Sequence, residues 1–331
     1  MNAAALHRSA VVIDACAPIL RDGANADLWT EGGATCALAT VALHYDSRAS
    51  TLDLIGSLCR QIRDREDLVL GRTADDILAA KRAGRFAIVL AFQSSAALDQ
   101  RLDMVEIYHR LGVRSMNLAY NRAEAAADGC MEPGNGGLTN FGRQLVTEMN
   151  RTGMLLDLSH TGRRATFEAM ELSAAPVAFT HSNAAALYEH PRNITAEQIR
   201  RCAETGGVIG INGHPAFIKA GTASPTCEDY LAHVDHMVET AGIDHVGLGL
   251  DFSFLPGEQI PPARYARMLA EKVFSPGTLP PPPWTWPWGD ARNIGQLTEA
   301  LLRRGWRDAD VLKFLGKNFL RLFRTVWKCD G

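Results

Sequence analysis

The sequence predicts a single (β/α)8 barrel over residues 1–331, on three observations. Eight short runs rich in aliphatic and β-branched residues stand along the chain, and helical patterns follow most of them. No glycine-rich phosphate fingerprint follows the first run, as a dinucleotide-binding open sheet would require. In a closed parallel barrel each strand is covered on both faces, so strands read as near-continuous apolar runs, as these do.

In chain order the runs are 10–16, 35–43, 86–92, 115–120, 154–160, 176–182, 207–213 and 245–252. Between them, 139–150 reads as a helix: Thr139 suits the N-cap, Phe141, Leu145, Val146 and Met149 make one apolar stripe, and Gly153 lies just past the end. A second helix over 195–204 is stopped by Gly206-Gly207. After the eighth strand, 254–293 is irregular and holds the Pro/Trp-rich insertion Leu279-Pro280-Pro281-Pro282-Pro283-Trp284-Thr285-Trp286-Pro287-Trp288-Gly289, which suits neither a helix interior nor a central strand. Its length points to a lid or a subunit contact. A plain exposed linker would leave Trp284, Trp286 and Trp288 as a large apolar surface in water.

Composition sets the outer limits. With 47% hydrophobic residues in 331, one large core is affordable. The net charge of −3 arises from 34 basic and 37 acidic residues that are interspersed, which argues against a nucleic-acid footprint or a polybasic membrane patch and for small-molecule partners. No apolar run approaches the roughly 18 residues of a membrane span, and residues 1–7 lack a basic segment leading into an apolar one, so a soluble cytoplasmic protein is expected. Cys16, Cys36, Cys59, Cys130, Cys202, Cys227 and Cys329 are scattered without a C-x-x-C pair and read as free thiols in a reducing compartment.

Active sites of such barrels lie at the C-terminal ends of the strands. That rule selects Cys16, Gln93, Tyr120, His160, His181, Asn212, His214 and Asp251. The strongest signal is the pair Leu155-Leu156-Asp157-Leu158-Ser159-His160 and Val177-Ala178-Phe179-Thr180-His181, where neighbouring parallel strands would carry two imidazoles to one point and so form half of a zinc site. Plainer readings stand beside it: two buried histidines bonded to loops, Cys16 as a small core residue, Gln93 satisfying backbone groups, Arg192 as a surface arginine, and His44 and His214 as loop histidines.

The chain resembles the membrane dipeptidase family (peptidase M19) of amidohydrolase-like barrels. The resemblance rests on Leu111-Gly112-Val113-Arg114, Gly137-Leu138-Thr139, Asp157-Leu158-Ser159-His160, Thr180-His181-Ser182-Asn183, Pro191-Arg192-Asn193, Gly249-Leu250-Asp251-Phe252 and Gly316-Lys317-Asn318-Phe319. It implies a barrel, often homodimeric, that hydrolyses dipeptides with two zinc ions bridged by a carboxylate. It also implies that His160 and His181 ligate one zinc, that Arg192 grips the substrate carboxylate, and that Asp251 is the acid/base. Where the family has a His-x-Asp pair after the first strand, this chain has Asp14-Ala15-Cys16-Ala17-Pro18; where it has a bridging glutamate, Gln93; and where it often has a histidine after the fourth strand, Tyr120.

A neutral amide cannot offset the repulsion of two dications, so one zinc, or none, is expected instead of two. Cys16, Asp251 or Gln93 would then supply a third ligand to His160 and His181. The expectation is a dipeptidase-like metallohydrolase in which Asp251 moves the proton, Tyr120 bonds the developing oxyanion, and Arg192, Gln93 and Asn212 contact substrate. The alternatives are a metal-free pocket for a small carboxylate metabolite, or an inactive homologue.

Overall fold

The computed structural model describes residues 2–221, 224–255, 266 and 286–328. Its parallel strands are β1 (Ile13–Ala17), β2 (Cys36–Ala42), β3 (Leu68–Leu70), β4 (Phe86–Phe92), β5 (Val113–Asn117), β6 (Leu155–Asp157), β7 (Ala178–Phe179), β8 (Val208–Asn212) and β9 (Val246–Gly249). The order β2-β1-β9-β8-β7-β6-β5-β4-β3 closes because β2 also pairs with β4, from Cys36↔Ala87 to Ala42↔Phe92. Leaving β3 aside, the remaining strands are the eight-stranded barrel that the sequence predicts. β3 was not anticipated: it lies along the start of β4 (Leu68↔Phe86, Leu70↔Ile88), and three residues are too few to display a period.

Several strands are shorter than their apolar runs, for local reasons. His160 (φ 66°) and Asp251 (φ 55°) adopt left-handed backbone, which extended structure cannot pass through. The runs 154–160 and 245–252 therefore end as strands at Asp157 and Gly249. Run 115–120 begins earlier, at Val113, because Arg114 is buried with its guanidinium donating to the carbonyls of Arg72 and His109, both at 2.6 Å. A charged residue inside a strand hid the boundary.

Alternate strand positions feed two cores, as the period of two dictates. Val12, Ala37, Ala39, Val41, Ile88 and Leu90 join helix residues such as Leu58, Tyr108, Leu145 and Leu231. Ile13, Ala15, Leu38, Val89, Leu155, Ala178 and Val208 form the second cluster, with Ile77 and with Phe319 and Phe323 of the C-terminal helix Asn318–Val326. Helix starts are fixed by hydroxyls: Ser47, Thr73, Thr139, Thr195 and Thr226 each accept from a backbone N–H in the first turn. The two anticipated helices are Asn140–Thr152, closed by Gly153 at φ 83°, and Ala196–Glu204.

Of the Pro/Trp-rich stretch, residues 279–285, Trp284 included, lie outside the described residues. Trp286 and Trp288 are buried: the Trp286 indole donates to the Leu250 carbonyl (3.3 Å) and lies tilted 5.0 Å from the Phe252 ring, and Trp288 meets Tyr230 at 4.6 Å. This end of the insertion is an anchor over the end of β9. Among the described residues, no helix is long and apolar enough to cross a membrane.

The barrel is tight where β7, β8 and β9 meet. A Cβ on Gly249 would fall 1.8 Å from the Thr180 carbonyl oxygen, and one on Gly210 2.0 Å from the same atom, whereas Gly56, exposed in the helix Arg48–Asp64, has nothing within 4 Å. Gly249→Ala and Gly210→Ala are expected to lose at least about 2 kcal/mol in urea unfolding, and Gly56→Ala to gain about 0.5–1 kcal/mol; equal effects at the three sites would contradict this packing.

His214 is buried, its Nδ1 accepts from Ala216 N (3.1 Å), and burial lowers its pKa to about 3. Below pH 6.5 the unfolded chain takes up a proton that the folded one refuses, so this residue makes stability fall as pH drops from 6.5 toward 3, by at most about 1.4 kcal/mol per pH unit. Unfolding free energies measured across that range should show a shallower acid slope in His214→Asn, which keeps a capping oxygen.

Candidate active site at the barrel mouth

Every residue selected by the strand-end rule lies at the C-terminal side of the barrel. Cys16 is on β1, Gln93 follows β4, Tyr120 follows β5, His160 follows β6, His181 follows β7, Asn212 ends β8, and Asp251 follows β9. The left-handed turns at His160 and Asp251 are sparsely populated by such residues, and strain of this kind concentrates at functional positions.

The two imidazoles face each other with Nε2···Nε2 at 2.9 Å. Their outer nitrogens are assigned by their partners. His160 Nδ1 lies 2.7 Å from Asn121 Oδ1, an oxygen that also accepts from the Cys130 thiol, so His160 Nδ1 is the donor. His181 Nδ1 lies 2.7 Å from Thr180 Oγ1, whose own proton goes to Asp157 Oδ2 at 2.5 Å, so His181 Nδ1 is a donor too. Burial first, and the nearby Arg192 charge second, hold both rings well below the usual histidine pKa. Both are therefore neutral, and two lone pairs meet at 2.9 Å with no proton between them. That contact is repulsive unless an electrophile sits between the nitrogens, and it is the observation by which these residues fit a metal ion.

Around this pair, Cys16 Sγ accepts from Gln93 Nε2 at 3.1 Å and lies 3.6 Å from Asp251 Oδ1. Ligand atoms of Cys16, His181 and Asp251 all lie within 4.8 Å of one another. Gln93 Nε2 also donates to Thr40 Oγ1 at 2.9 Å, so the amide bridges the thiol and the hydroxyl. Asp251 Oδ2 accepts from Asn212 Nδ2 (3.1 Å), Oδ1 accepts from Ser253 (3.3 Å), and the Asp251 amide donates to the Cys16 carbonyl (2.9 Å), joining β1 to the end of β9. Burial raises the Asp251 pKa to about 6, against the pull of Arg192, Asn212 and Ser253.

Arg192 is 2% exposed and has no salt bridge among the described residues. Its Nη2 donates to the His181 carbonyl (3.0 Å), its guanidinium carbon lies 5.3 Å from the centre of the Phe217 ring, and its Nε is unpartnered. It lines a cavity of about 310 Å³ together with His160, Thr161, Ser182 and His190. Thr161 Oγ1, Ser182 Oγ and His190 Nε2 are buried there without partners as well. His190 Nδ1 accepts from Arg192 N (3.1 Å), so its Nε2 carries the hydrogen. The cavity wall is rich in donors, which suits an anion. On the other side of His160, Tyr120 stacks on its ring at 4.0 Å and His44 on Tyr120 at 4.8 Å, beside a cavity of about 410 Å³.

Both ends of the Asn212 side chain are engaged: Nδ2 on Asp251, Oδ1 by His214 N at 2.6 Å. Pro18 begins the turn Pro18–Asp22 and offers no donor. Sequence reading passed over Asn121, Thr180, Asp157 and Thr40, because each acts through another side chain, and His190, Thr161 and Ser182, which line the cavity itself. Asp157 and Asn121 carried a signal, since each is a polar residue at the end of an apolar run.

Comparison with known proteins places this geometry. A family model for membrane dipeptidase (peptidase family M19) matches residues 20–271. The dipeptidase tcpJ of Claviceps purpurea is 30% identical over 290 residues, covering 86% of this chain and 62% of that protein. A dipeptidase of Schizosaccharomyces pombe without an assigned role is 37% identical over 196 residues, covering 57% of this chain and 47% of that protein. The chain thus spans between about half and six-tenths of the length of these curated relatives. Among solved structures, an amidohydrolase from Pseudomonas aeruginosa superposes with a TM-score of 0.85 at 30% identity, covering 99% of each chain. A metallopeptidase from Rhodobacter sphaeroides, liganded with a phosphinate mimic of the dipeptide L-Ala-D-Ala, shares the fold at a TM-score of 0.78 and 22% identity, covering 96% of this chain and 99% of that one. On the extent of the family match, this chain belongs to the membrane dipeptidase family, peptidase family M19.

Proposed function

We propose that the protein is a cytoplasmic metal-dependent hydrolase that cleaves a dipeptide, or a similarly small amide with a free carboxylate, using one zinc ion instead of two. The observation that carries this reading is the pair of neutral imidazoles with Nε2 lone pairs 2.9 Å apart, beside a carboxylate and a buried arginine that makes no salt bridge among the described residues. Pro18, which has no ligand atom, and the neutral amide of Gln93, which lacks the charge of a bridging carboxylate, support one dication over two.

A divalent ion held by His160 and His181 supplies Lewis-acid polarisation of a carbonyl and a water acidified toward neutrality. The chain's own groups do the remaining work. Asp251, its Oδ2 oriented by Asn212, takes a proton from the attacking water and returns it to the leaving amine. Arg192, with Ser182, Thr161 and His190, binds the substrate carboxylate in the donor-lined cavity. Tyr120, fixed by stacking on His160, offers its hydroxyl to the developing oxyanion.

Metal analysis by mass spectrometry of zinc-replete protein is expected to give about one zinc per chain, lost in His160→Ala/His181→Ala; an unchanged zinc content in the double variant rules these ligands out. Protein loaded with zinc, cobalt or manganese should cleave members of a broad dipeptide panel. Arg192→Met should raise KM at least tenfold with a smaller change in kcat, and should abolish any preference for dipeptides over their C-terminal amides.

A second reading is favoured by the donor-rich cavity and by Cys16, Pro18 and Gln93: a metal-free pocket for a small carboxylate metabolite. Under it, only the triple variant Cys16→His, Pro18→Asp, Gln93→Glu gains dipeptidase activity, and activity of the wild type counts against it.

A further inference from the structure

We propose that Cys16 is itself a metal ligand: its thiolate completes a His160–His181–Cys16 site, and Gln93 is the hydrogen-bond donor that stabilises the bound sulfur. The inference rests on the single-metal reading above and goes beyond it by assigning the third ligand and giving Gln93 a task.

The sulfur is placed for this role. Cys16 Sγ shares with His181 and Asp251 a volume in which all three ligand atoms lie within 4.8 Å, and His181 Nε2 is in turn 2.9 Å from His160 Nε2. A tetrahedral zinc with sulfur at about 2.3 Å and imidazole nitrogen at about 2.0–2.1 Å sets ligand-to-ligand edges of roughly 3.3–3.8 Å. Cys16 already lies within that reach of His181, whereas His160 touches His181 from outside the set and has to swing toward the sulfur as the ion binds, with Asp251 beside the fourth position. Binding forms a sulfur–metal bond, breaks the S–H bond and releases that proton to solvent, with no change of oxidation state.

Gln93 fits the same account. Its Nε2 donates to Cys16 Sγ at 3.1 Å and to Thr40 Oγ1 at 2.9 Å, so both amide hydrogens are used and one of them is on the sulfur. A carboxylate at this position would repel a thiolate, whereas an N–H supports it. Cysteine at 16 and glutamine at 93 are thus one coupled arrangement. The buried Cys202 thiol faces backbone carbonyls instead, with its Sγ 4.0 Å from the Val177 oxygen.

The test is cobalt(II) titration of the reduced, metal-free full-length chain, read by absorption. Wild type is expected to bind about one equivalent and to show an intense thiolate-to-cobalt charge-transfer band in the near ultraviolet. Cys202→Ser should keep that band, Cys16→Ser should lose it while circular dichroism stays native, and Gln93→Leu should weaken cobalt binding about tenfold and shift the band, as a lost hydrogen bond to sulfur requires. Cobalt bound by wild type without the band, or a band that persists in Cys16→Ser, overturns the assignment of Cys16 and leaves the metal reading standing. No uptake of cobalt or zinc by wild type overturns both. If Cys16→Ser fails to fold, absence of the band in wild type still overturns the assignment.

Discussion

The approach of two uncharged imidazoles at 2.9 Å, inside a mouth from which water is largely excluded, is the constraint around which the rest of the site is arranged. Two nitrogen lone pairs do not hold that distance unaided. They are kept there by what stands behind them: Asn121 behind His160, and the chain Asp157–Thr180 behind His181. These partners settle which ring nitrogen carries the hydrogen, and so direct basic nitrogen from both rings at one point. Burial and the Arg192 charge then keep both rings unprotonated, so the point stays electron-rich at neutral pH.

A single buried cation acts on every other member of the site. Arg192 disfavours protonation of His160 and His181, draws down the Asp251 carboxyl that burial pushes up, and lines, with an unpartnered Nε, a cavity whose wall includes three further residues with unpartnered polar atoms. A buried guanidinium with no salt bridge is costly unless an anion visits it. The energetic logic therefore joins the two halves of the site: an electron-rich point for a cation, and an electron-poor cavity for a carboxylate.

The barrel supplies rigidity. Asp14, wholly buried on β1, accepts from Trp29 Nε1, from the Leu250 amide and from the Cys16 amide, so the strand end that carries the thiol is fixed to the strand end that carries Asp251. Gly210 and Gly249 let β8 and β9 pass close to the Thr180 carbonyl, and so bring the β7 histidine within reach of Asn212 and Asp251. Trp286 and Trp288 close the end of β9 from outside.

The sequence by itself determined the barrel, because fully buried parallel strands must be written as near-continuous apolar runs, and it determined the cluster at the mouth, because a polar side chain at the end of such a run has nowhere else to go. His160, His181 and Asp251 were legible for that reason, whereas Arg192 and the departure at Cys16, Pro18 and Gln93 were legible only through the resemblance to the dipeptidase family. β3 was too short to show a period, and Arg114 concealed the start of β5 because its charge is satisfied by carbonyls distant in sequence. Only the tertiary structure decided which nitrogen of each histidine faces inward, that the Gln93 amide presents its N–H to Cys16, and that Asn212 is engaged by Asp251. Each of these depends on hydrogen bonds between residues 20 to 80 positions apart, and the direction of such a bond is a property of the assembled neighbourhood, which one-dimensional spacing does not encode.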